Sequence, residues 1–270
     1  MAFKLTADNY FSPEASQKYF SVSQYKAFLD CPVRAMAEIR GEYKQPMTTA
    51  LLVGSYVDAY FEGTLDKFKE EQPEIFKKNG ELKADYIQAE QIIKRIEADE
   101  LFMEHMSGKK QVIKTAKLFG ADWKIKIDSY HPGKQIDDLK IMRSLERIMG
   151  KSFVEHWMYD TQMAVYSEVE YLANKAKNKK RLPTYLDVAT KEDETDIELI
   201  HIPRWRHEEC LADVEKNMPK LIAYKNGELE APRCGVCAYC RRTKKLTAPI
   251  EFEQVGFSNK ELALMEGRNW

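Results

Sequence analysis

A chain of 270 residues, 44% of them hydrophobic, is long enough for one large domain with a sizeable core. Charged residues make up 31%, and no run approaches about 18 apolar residues, which argues against a membrane protein. The first residues lack the apolar segment of a signal peptide, so we expect a cytoplasmic location. The net charge is −1, so a nucleic-acid partner needs local basic patches, which are more often solvated surface. Two such patches occur: Lys175, Lys177, Lys179, Lys180 and Arg181, and then Arg241, Arg242, Lys244 and Lys245.

Residues 1–63 are predicted to be helical after an irregular lead-in. Ser21 can cap a helix that the Cys31-Pro32 pair interrupts, because proline disrupts a helix interior. Residues 48–63 are apolar enough for a buried helix with one conspicuous carboxylate, that of Asp58. If this carboxylate is buried it needs a partner or a metal, and the periodicity equally allows it to face solvent.

Residues 65–107 are strongly charged, with lysine and glutamate interleaved among isoleucines. This pattern predicts solvated amphipathic helices, and we expect no chemistry from the segment. A first β-strand is predicted at 111–119.

The centre of the chain then predicts a β-hairpin. Apolar and polar side chains alternate along its first strand, and a proline-glycine turn leads into the second. Because side chains alternate between faces, Asp138 and Lys140 share one face of the second strand. Asp137 and Leu139 share the other. Two neighbouring strands can therefore bring Asp128 of the first strand beside Asp138 and Lys140 at one end of a sheet.

Two carboxylates and a lysine in this arrangement have a chemical use. Mg²⁺ is commonly held by one or two carboxylates together with substrate phosphate oxygens. The ion polarises a phosphoryl oxygen and lowers the pKa of a bound water, and a nearby lysine can orient that water or stabilise developing charge. An isolated pattern of this kind more often belongs to an exposed hairpin with solvated charges, so other residues must support it.

The rest of the chain completes a mixed α/β arrangement around one sheet. The whole order is helices, three strands, helices, two strands and a helix. Beyond the hairpin we predict helices at 143–150, 152–171 and 208–224, and strands at 183–190 and 197–202.

Within the helix predicted at 152–171, Gln162 and Tyr166 share one face because they are four residues apart. A glutamine amide can position water or a phosphate oxygen, and a tyrosine can stack on a base or bond to phosphate. For an isolated pair, core packing of the aromatic ring with the glutamine on the surface is the commoner alternative.

Three cysteines, Cys234, Cys237 and Cys240, follow the C-x₂-C-x₂-C spacing that iron–sulfur ferredoxins use for three cluster ligands. A fourth ligand is required, and either Cys31 or Cys210 can supply it. Zinc also accepts four thiolates, and inert core cysteines are the remaining alternative. A structural disulfide does not suit a cytosolic chain. The spacing favours a metal centre, and an iron–sulfur cluster over zinc.

Together these residues resemble the PD-(D/E)xK nuclease superfamily, and within it the phage recombination exonucleases of the lambda and RecE types. In that family an acidic residue on one strand precedes D/E-x-K on the next strand and Q-x₃-Y on a helix. The same order occurs here, in Asp128, Asp138, Lys140, Gln162 and Tyr166. In relatives an upstream helix with G-x₃-H or G-x₃-E supplies another metal-site residue. Here Asp58 follows Gly54 with that spacing, in place of His or Glu.

The cysteines resemble a second branch, the AddB-type and CRISPR-associated exonucleases, in which one N-terminal and three C-terminal cysteines hold a [4Fe–4S] cluster. Their N-terminal cysteine lies in an S-x-S segment that ends in C-P, as in Ser21, Ser23, Cys31 and Pro32. The resemblance therefore favours Cys31 over Cys210 as the fourth ligand. It implies a structural cluster that pins the C-terminal segment to the N-terminal helix and keeps the active-site sheet clasped.

The resemblance implies a restriction-endonuclease-like α/β core with a central mixed sheet flanked by helices. It implies one nuclease domain with N-terminal helices (1–63), a charged helical insertion (64–108), a catalytic core (109–205) and a C-terminal cysteine-rich part (206–270).

For function, the resemblance implies a DNA exonuclease that depends on Mg²⁺ or Mn²⁺ held by Asp58, Asp128 and Asp138. Lys140 then orients water, and Gln162 and Tyr166 hold the scissile strand. It also implies double-stranded ends, 5′→3′ resection, a partner single-strand annealing protein and a homo-oligomeric ring. The alternatives are a non-catalytic DNA-binding subunit with an iron–sulfur or zinc centre, a zinc-ribbon interaction module attached to an unrelated α/β domain, and an endonuclease of the same fold.

Overall fold

The computed structural model describes residues 3–175, 180–246 and 248–267. The chain separates into two compact units, each built from non-consecutive stretches. Unit 1 takes residues 1–45, 117–123 and 213–270, and unit 2 takes residues 46–116 and 124–212. The four consecutive segments predicted from the sequence are a different division, which stays a prediction. Lys177 and Lys179 of the first basic patch lie outside the described residues.

Helices and strands follow the predicted order. The helices are α1 (Pro13–Lys18), α2 (Val22–Asp30), α3 (Pro32–Ile39), α4 (Thr49–Glu62), α5 (Leu65–Glu71), α6 (Ala84–Glu97), α7 (Glu100–His105), α8 (Phe153–His156), α9 (Tyr159–Ala173), α10 (Arg204–Asn226), α11 (Ala238–Arg242) and α12 (Asn259–Met265). The strands are β1 (Lys109–Leu118), β2 (Ala121–His131), β3 (Gln135–Met142), β4 (Thr184–Thr190) and β5 (Ile197–Ile202).

The strands form one mixed sheet in the order β1-β2-β3-β4-β5. The β2–β3 and β4–β5 pairs are antiparallel, whereas β3 and β4 are parallel and are connected through α8 and α9. A parallel pair requires such a crossover, because a tight turn cannot return the chain to the same end. The predicted fold class, a mixed sheet flanked by helices, is confirmed.

The core of unit 2 holds helix α4 against the sheet. Leu139 of β3 and Ala189 of β4 are buried in one apolar cluster with side chains of α4, α6 and α7. Thr48 caps α4 by accepting a hydrogen bond from the N–H of Leu51, and Gly63 ends it in the left-handed conformation. The apolar face of α4 is therefore fixed on β3, which sets the position of Asp58.

Unit 1 is centred on Trp123, which is fully buried. Its ring centroid lies 5.8 Å from that of Phe20 and 6.4 Å from that of Tyr25, and its indole N–H donates to the carbonyl of Leu118 at 3.0 Å. As predicted, Ser21 caps a helix that the Cys31-Pro32 pair ends. Because Pro32 is the first residue of α3, it loses no helical hydrogen bond.

Two predictions beyond the hairpin are wrong. Residues 143–150 are not a helix, because Met149 and Gly150 both adopt positive φ and close a tight turn between Ile148 and Lys151. The helix predicted at 152–171 is broken into α8 and α9 at Met158, whose φ is 53°. Neither methionine carries a sequence signal for this conformation, which is uncommon outside glycine and asparagine.

Within the described ranges, no helix combines the length and the apolar character that crossing a bilayer requires.

Candidate functional site

Two acidic side chains meet where β2 and β3 run side by side. The register pairs Ser129 with Asp137, so Asp128 and Asp138 are the next residues along the two strands. The backbone N–H of Leu139 donates to Asp128 Oδ2 at 3.2 Å and so ties this carboxylate to β3. The structure therefore brings together the two carboxylates that the alternation pattern placed at this position.

Lys140 completes the group. Its ammonium contacts Asp138 Oδ2, donates to the carbonyl of Leu139 at 3.1 Å, and lies 5.2 Å from the ring centroid of Tyr159. Burial opposes the charge on the amine, but Asp138 and Asp128 outweigh it and raise the pKa of Lys140 above its usual range. Lys140 is therefore a fixed positive charge between carboxylates.

Helix α9 contributes a second contact to Asp138. The Gln162 amide donates from Nε2 to Asp138 Oδ1 at 2.7 Å, so each oxygen of this carboxylate has its own partner. Asp138 is 2% exposed, which makes these partners necessary. Tyr166 lies one turn further along α9 and is half-buried.

Asp58 lies half-buried on α4, within electrostatic range of the same group. Burial raises the pKa of Asp58 to about 7; Lys140 opposes this rise, while Glu62 and Asp138 add to it. Burial, and then the charge of Asp138, also raises the pKa of Asp128 well above its ordinary value. The carboxylate oxygens of Asp58, Asp128 and Asp138 are donors of the kind that fits Mg²⁺ or Mn²⁺.

Two further residues border this group, and nothing in the sequence pattern pointed to them. Gln111 of β1 donates from Nε2 to Asp128 Oδ1 at 3.4 Å, and its backbone φ is 53°. Glu62, one turn after Asp58 on α4, lies near enough for its charge to raise the pKa of Asp58.

A second polar group lies in unit 2, made of His105, Asp137 and Asp187. Each residue offers a possible ligand atom, and these atoms lie within 4.8 Å of one another. Burial raises the pKa of Asp137 to about 7, with Asp187 adding to the rise and His105 opposing it. His105 ends α7, inside the charged segment for which the sequence predicted no chemistry.

The cysteine group lies in unit 1. The Sγ atoms of Cys31, Cys234, Cys237 and Cys240 all fall within 4.8 Å of one another. Two separations are 3.6 Å (Cys31 to Cys240) and 3.8 Å (Cys234 to Cys240). Cys210 lies elsewhere, on α10 in unit 2. Of the two candidates for the fourth position, the structure therefore brings Cys31 to the other three.

Backbone N–H groups point at these thiols, as they do around bound thiolates. The N–H of Cys237 donates to Cys234 Sγ at 3.3 Å, and that of Cys240 donates to Cys237 Sγ at 3.4 Å. Although burial opposes ionisation of Cys234, N–H groups of the following loop lower its pKa. Burial raises the pKa of the Cys31 thiol, which a positively charged metal would reverse.

The described parts of the basic patches are partly engaged within the protein. Arg181 donates to Glu168 at 2.9 Å and lies 4.3 Å from the ring centroid of Tyr171. Arg242 lies 5.0 Å from the ring centroid of Tyr43.

Comparisons with known proteins support a nuclease-like fold. Residues 21–243 match a family described as PDDEXK-like domain of unknown function (DUF3799). A crystal structure from Eubacterium rectale, of a protein named "Putative exonuclease", is 46% identical with a TM-score of 0.89 and covers 94% of this chain and 99% of that chain. The crystal structure of SSO0001 is 12% identical with a TM-score of 0.32, and covers 81% of this chain and 96% of that chain. This similarity is too low to support a functional inference. The comparison with curated proteins found no match.

Proposed function

Because this chain belongs to the family of PDDEXK-like domains (DUF3799), we propose that it is a metal-dependent exonuclease that hydrolyses phosphodiester bonds from the ends of DNA. The observation that carries the proposal is the meeting of Asp128, Asp138 and Lys140 where β2 and β3 adjoin. A nuclease needs this combination, oxygen donors for a cation beside a fixed positive charge. The name of the Eubacterium rectale protein supports exonuclease activity over other reactions of the fold.

Asp58, Asp128 and Asp138 are the residues that would hold Mg²⁺ or Mn²⁺. When bound, the ion supplies positive charge that polarises the phosphodiester and activates water. Burial, with a smaller contribution from neighbouring carboxylates, raises the pKa of Asp58 and of Asp128, and a cation held there would favour their ionised forms.

The chain's own residues then position the reactants. Lys140 stays protonated, so it acts as a donor that orients the attacking water and stabilises negative charge on the phosphate oxygens. Gln162 fixes the rotamer of Asp138 through its 2.7 Å hydrogen bond. Tyr166, one turn along α9, is proposed to contact the scissile strand together with the Gln162 amide.

The substrate details rest on the resemblance to lambda and RecE exonucleases. They are double-stranded ends, 5′→3′ resection in recombination or repair, a single-strand annealing protein as partner, and a homo-oligomeric ring. Each is taken from the precedent of those relatives, and none follows from the residues of this chain themselves.

We further propose that the four clustered cysteines hold a metal centre that stabilises unit 1. The resemblance to AddB-type nucleases supports a [4Fe–4S] cluster. The separations of 3.6 and 3.8 Å support a single Zn²⁺, because bonds of ~2.3 Å to a tetrahedral ion place thiolates about 3.8 Å apart. A cubane cluster bonds each thiolate to a different iron and so spaces them more widely. Visible absorbance and metal analysis of anaerobically purified protein distinguish the two.

The nuclease proposal is tested on duplex DNA labelled at either the 5′ or the 3′ end, with Mg²⁺ and with closed circular DNA in parallel. We expect the linear DNA to be degraded and the circle to stay intact. Lys140→Gln should lower the rate by a factor on the order of 100 or more. Lys134→Gln, which changes an exposed lysine of the same hairpin, should have no effect.

Three outcomes contradict the proposal. Wild-type protein that leaves linear DNA intact with Mg²⁺ and with Mn²⁺ favours a non-catalytic binding subunit. Cleavage of the closed circle favours an endonuclease. If Lys140→Gln degrades DNA at the wild-type rate and its circular dichroism matches the wild type, the proposed site does not take part in the reaction.

A further inference from the structure

The group of His105, Asp137 and Asp187 has no part in the mechanism above. His105 Nδ1 lies 2.7 Å from Asp137 Oδ1 and 3.5 Å from Asp187 Oδ1. Both carboxylates have 0% exposure. Two buried acids and an imidazole at these distances require a physical account, because burying charged groups without partners is costly.

The hydrogen bonds available in the described part of the chain do not satisfy these acids. Asp137 Oδ1 accepts from Gln135 Nε2 at 2.9 Å as well as facing His105. Among the described residues, Asp137 Oδ2 and both oxygens of Asp187 accept no hydrogen bond of good geometry, although His131 Nε2 and His105 Nδ1 lie 3.5 Å from Asp137 Oδ2 and Asp187 Oδ1, respectively. An unsatisfied buried acceptor costs about 1–3 kcal/mol, and more when it is charged. A proton on His105 Nδ1, already directed at Asp137, cannot serve all three oxygens.

Nearby cations balance the two acids only in part. Lys110 lies within electrostatic range of both, but its amine donates to the carbonyl of Met106. His131 Nε2 lies 3.5 Å from Asp137 Oδ2, and it also faces the carbonyl of His105 at 2.9 Å. The pocket therefore keeps acceptor oxygens that are directed at no donor.

We propose that His105, Asp137 and Asp187 bind a second divalent cation, of the transition-metal class that includes Zn²⁺ and Mn²⁺. A mixed imidazole and carboxylate set suits these ions, whereas Mg²⁺ prefers oxygen alone. Bonds of ~2.1 Å to a tetrahedral ion place its ligand atoms about 3.4 Å apart. The 3.5 Å between His105 Nδ1 and Asp187 Oδ1 is close to this spacing, whereas the 2.7 Å between His105 Nδ1 and Asp137 Oδ1 is a hydrogen-bond distance that would lengthen on binding. On binding, the ion replaces any proton held between His105 and Asp137, and that proton passes to solvent.

The surroundings of His105 hold it in place for this role. Its carbonyl accepts from Ser129 Oγ at 2.6 Å, and its ring packs edge-on against Tyr185 at 4.9 Å. The turn after α7 passes so close to β2 that a Cβ on Gly108 would lie 2.6 Å from Ser129 Oγ. Ligands fixed by neighbouring contacts of this kind are typical of metal sites.

This site is separate from the nuclease centre although it uses the adjoining residue of the same strand. Asp137 faces His105 of α7, whereas Asp138 faces Gln162 of α9, because neighbouring side chains point to opposite faces of the sheet. The two ions therefore do not form a two-metal centre, in which ions lie ~3.5–4 Å apart and share a substrate phosphate. The second ion instead joins α7, β3 and β4.

Mn²⁺ is the probe, because thiolates bind it weakly and its free form gives an electron paramagnetic resonance signal. Metal-depleted full-length protein is titrated with Mn²⁺, and bound ions per chain are counted. We expect Asp187→Asn and His105→Gln each to bind about one ion fewer than wild type. Asp193→Asn, an exposed acid in the turn after β4, should bind the wild-type number. Circular dichroism checks folding of each variant.

The inference fails if Asp187→Asn and His105→Gln, both folded, bind as many ions as wild type; the group is then a proton-sharing ion pair only. Asp128→Asn in the same titration keeps the two proposals apart. A loss of one ion in Asp128→Asn alone supports the nuclease site and overturns the second site. If Asp187→Asn binds one Mn²⁺ fewer than wild type and Asp128→Asn does not, the second site is supported, and this holds whether or not the protein degrades DNA.

Discussion

Asp58 is a carboxylate whose ionisation is opposed mainly by burial and, to a smaller extent, by the charges of Glu62 and Asp138. Burial raises its pKa from 3.8 to about 7, so the native state binds a proton there more tightly than the unfolded chain does. The stability that this group contributes is complete below pH 3.8 and is lost as the pH rises through 7. Asp58→Asn removes this titration. The free energy of unfolding of the variant, relative to that of wild type, should therefore increase as the pH rises.

The size of the effect follows from the pKa rise. Each pKa unit corresponds to ~1.4 kcal/mol, so relative to pH values below 3.8 the titration of Asp58 lowers the free energy of unfolding by as much as about 4 kcal/mol at pH 8 and about 2 kcal/mol at pH 5. We therefore expect the free energy of unfolding of Asp58→Asn to exceed that of wild type, with the larger gap at pH 8. Added Mg²⁺ should narrow the gap, because it stabilises a site that keeps all three carboxylates.

The assay is urea unfolding in EDTA at the two pH values, followed by circular dichroism. Any metal that EDTA removes from the cysteines is lost from both proteins, so their difference is unaffected. Asp213→Asn, which changes an exposed aspartate in α10, should shift stability by less than about 0.5 kcal/mol at either pH. A variant no more stable than wild type at pH 8, or a gap independent of pH, refutes the reasoning.

Three further predictions concern other parts of the chain. Cys237→Ser should lose bound metal and lower the melting temperature, as measured by metal analysis and calorimetry, whereas Cys210→Ser should keep the metal. Burial lowers the pKa of His207 to about 4, so wild-type stability should fall by about 3 kcal/mol as the pH drops from 6.5 to 4; urea unfolding of His207→Gln should lack this slope. Gly108→Ala should cost about 1–3 kcal/mol, because its Cβ would meet polar atoms of β2. At Gly54, a helical position, an added Cβ would meet no neighbouring atom within 4 Å, so Gly54→Ala should instead raise the free energy of unfolding by about 0.5–1 kcal/mol. Urea unfolding measures both glycine variants.

The sequence predicted the contacts between residues that lie close together along the chain. Asp128, Asp138 and Lys140 lie within one hairpin, so strand alternation and a single turn are enough to bring them together. The helix that carries Asp58 was also predicted, from the apolar run of residues 48–63.

The sequence could not predict contacts that depend on the parallel pairing of β3 with β4. That pairing sets Leu139 opposite Asp187, and so brings Asp187 to the face of Asp137. His105 lies on a helix more than 30 residues before Asp137 in the sequence. A single histidine among charged residues does not indicate burial. Helix prediction also failed at Met149 and Met158, because a methionine gives no indication in the sequence of a left-handed backbone.

The neighbouring acids in β3 make the alignment of this strand a chemical requirement as well as a packing one. A slip of one position would exchange Asp137 and Asp138 between the two faces of the sheet and replace the charged end of Lys140 by an aliphatic side chain. The parallel ladder from Ile136 to Met142 guards against this error, because sliding β3 would also carry Leu139 out of its apolar contacts. A molecule with β3 shifted by one residue would thus lose its core packing and its reactive groups together. Few molecules can therefore be well folded and yet lack the acidic residues and Lys140 at their proper positions.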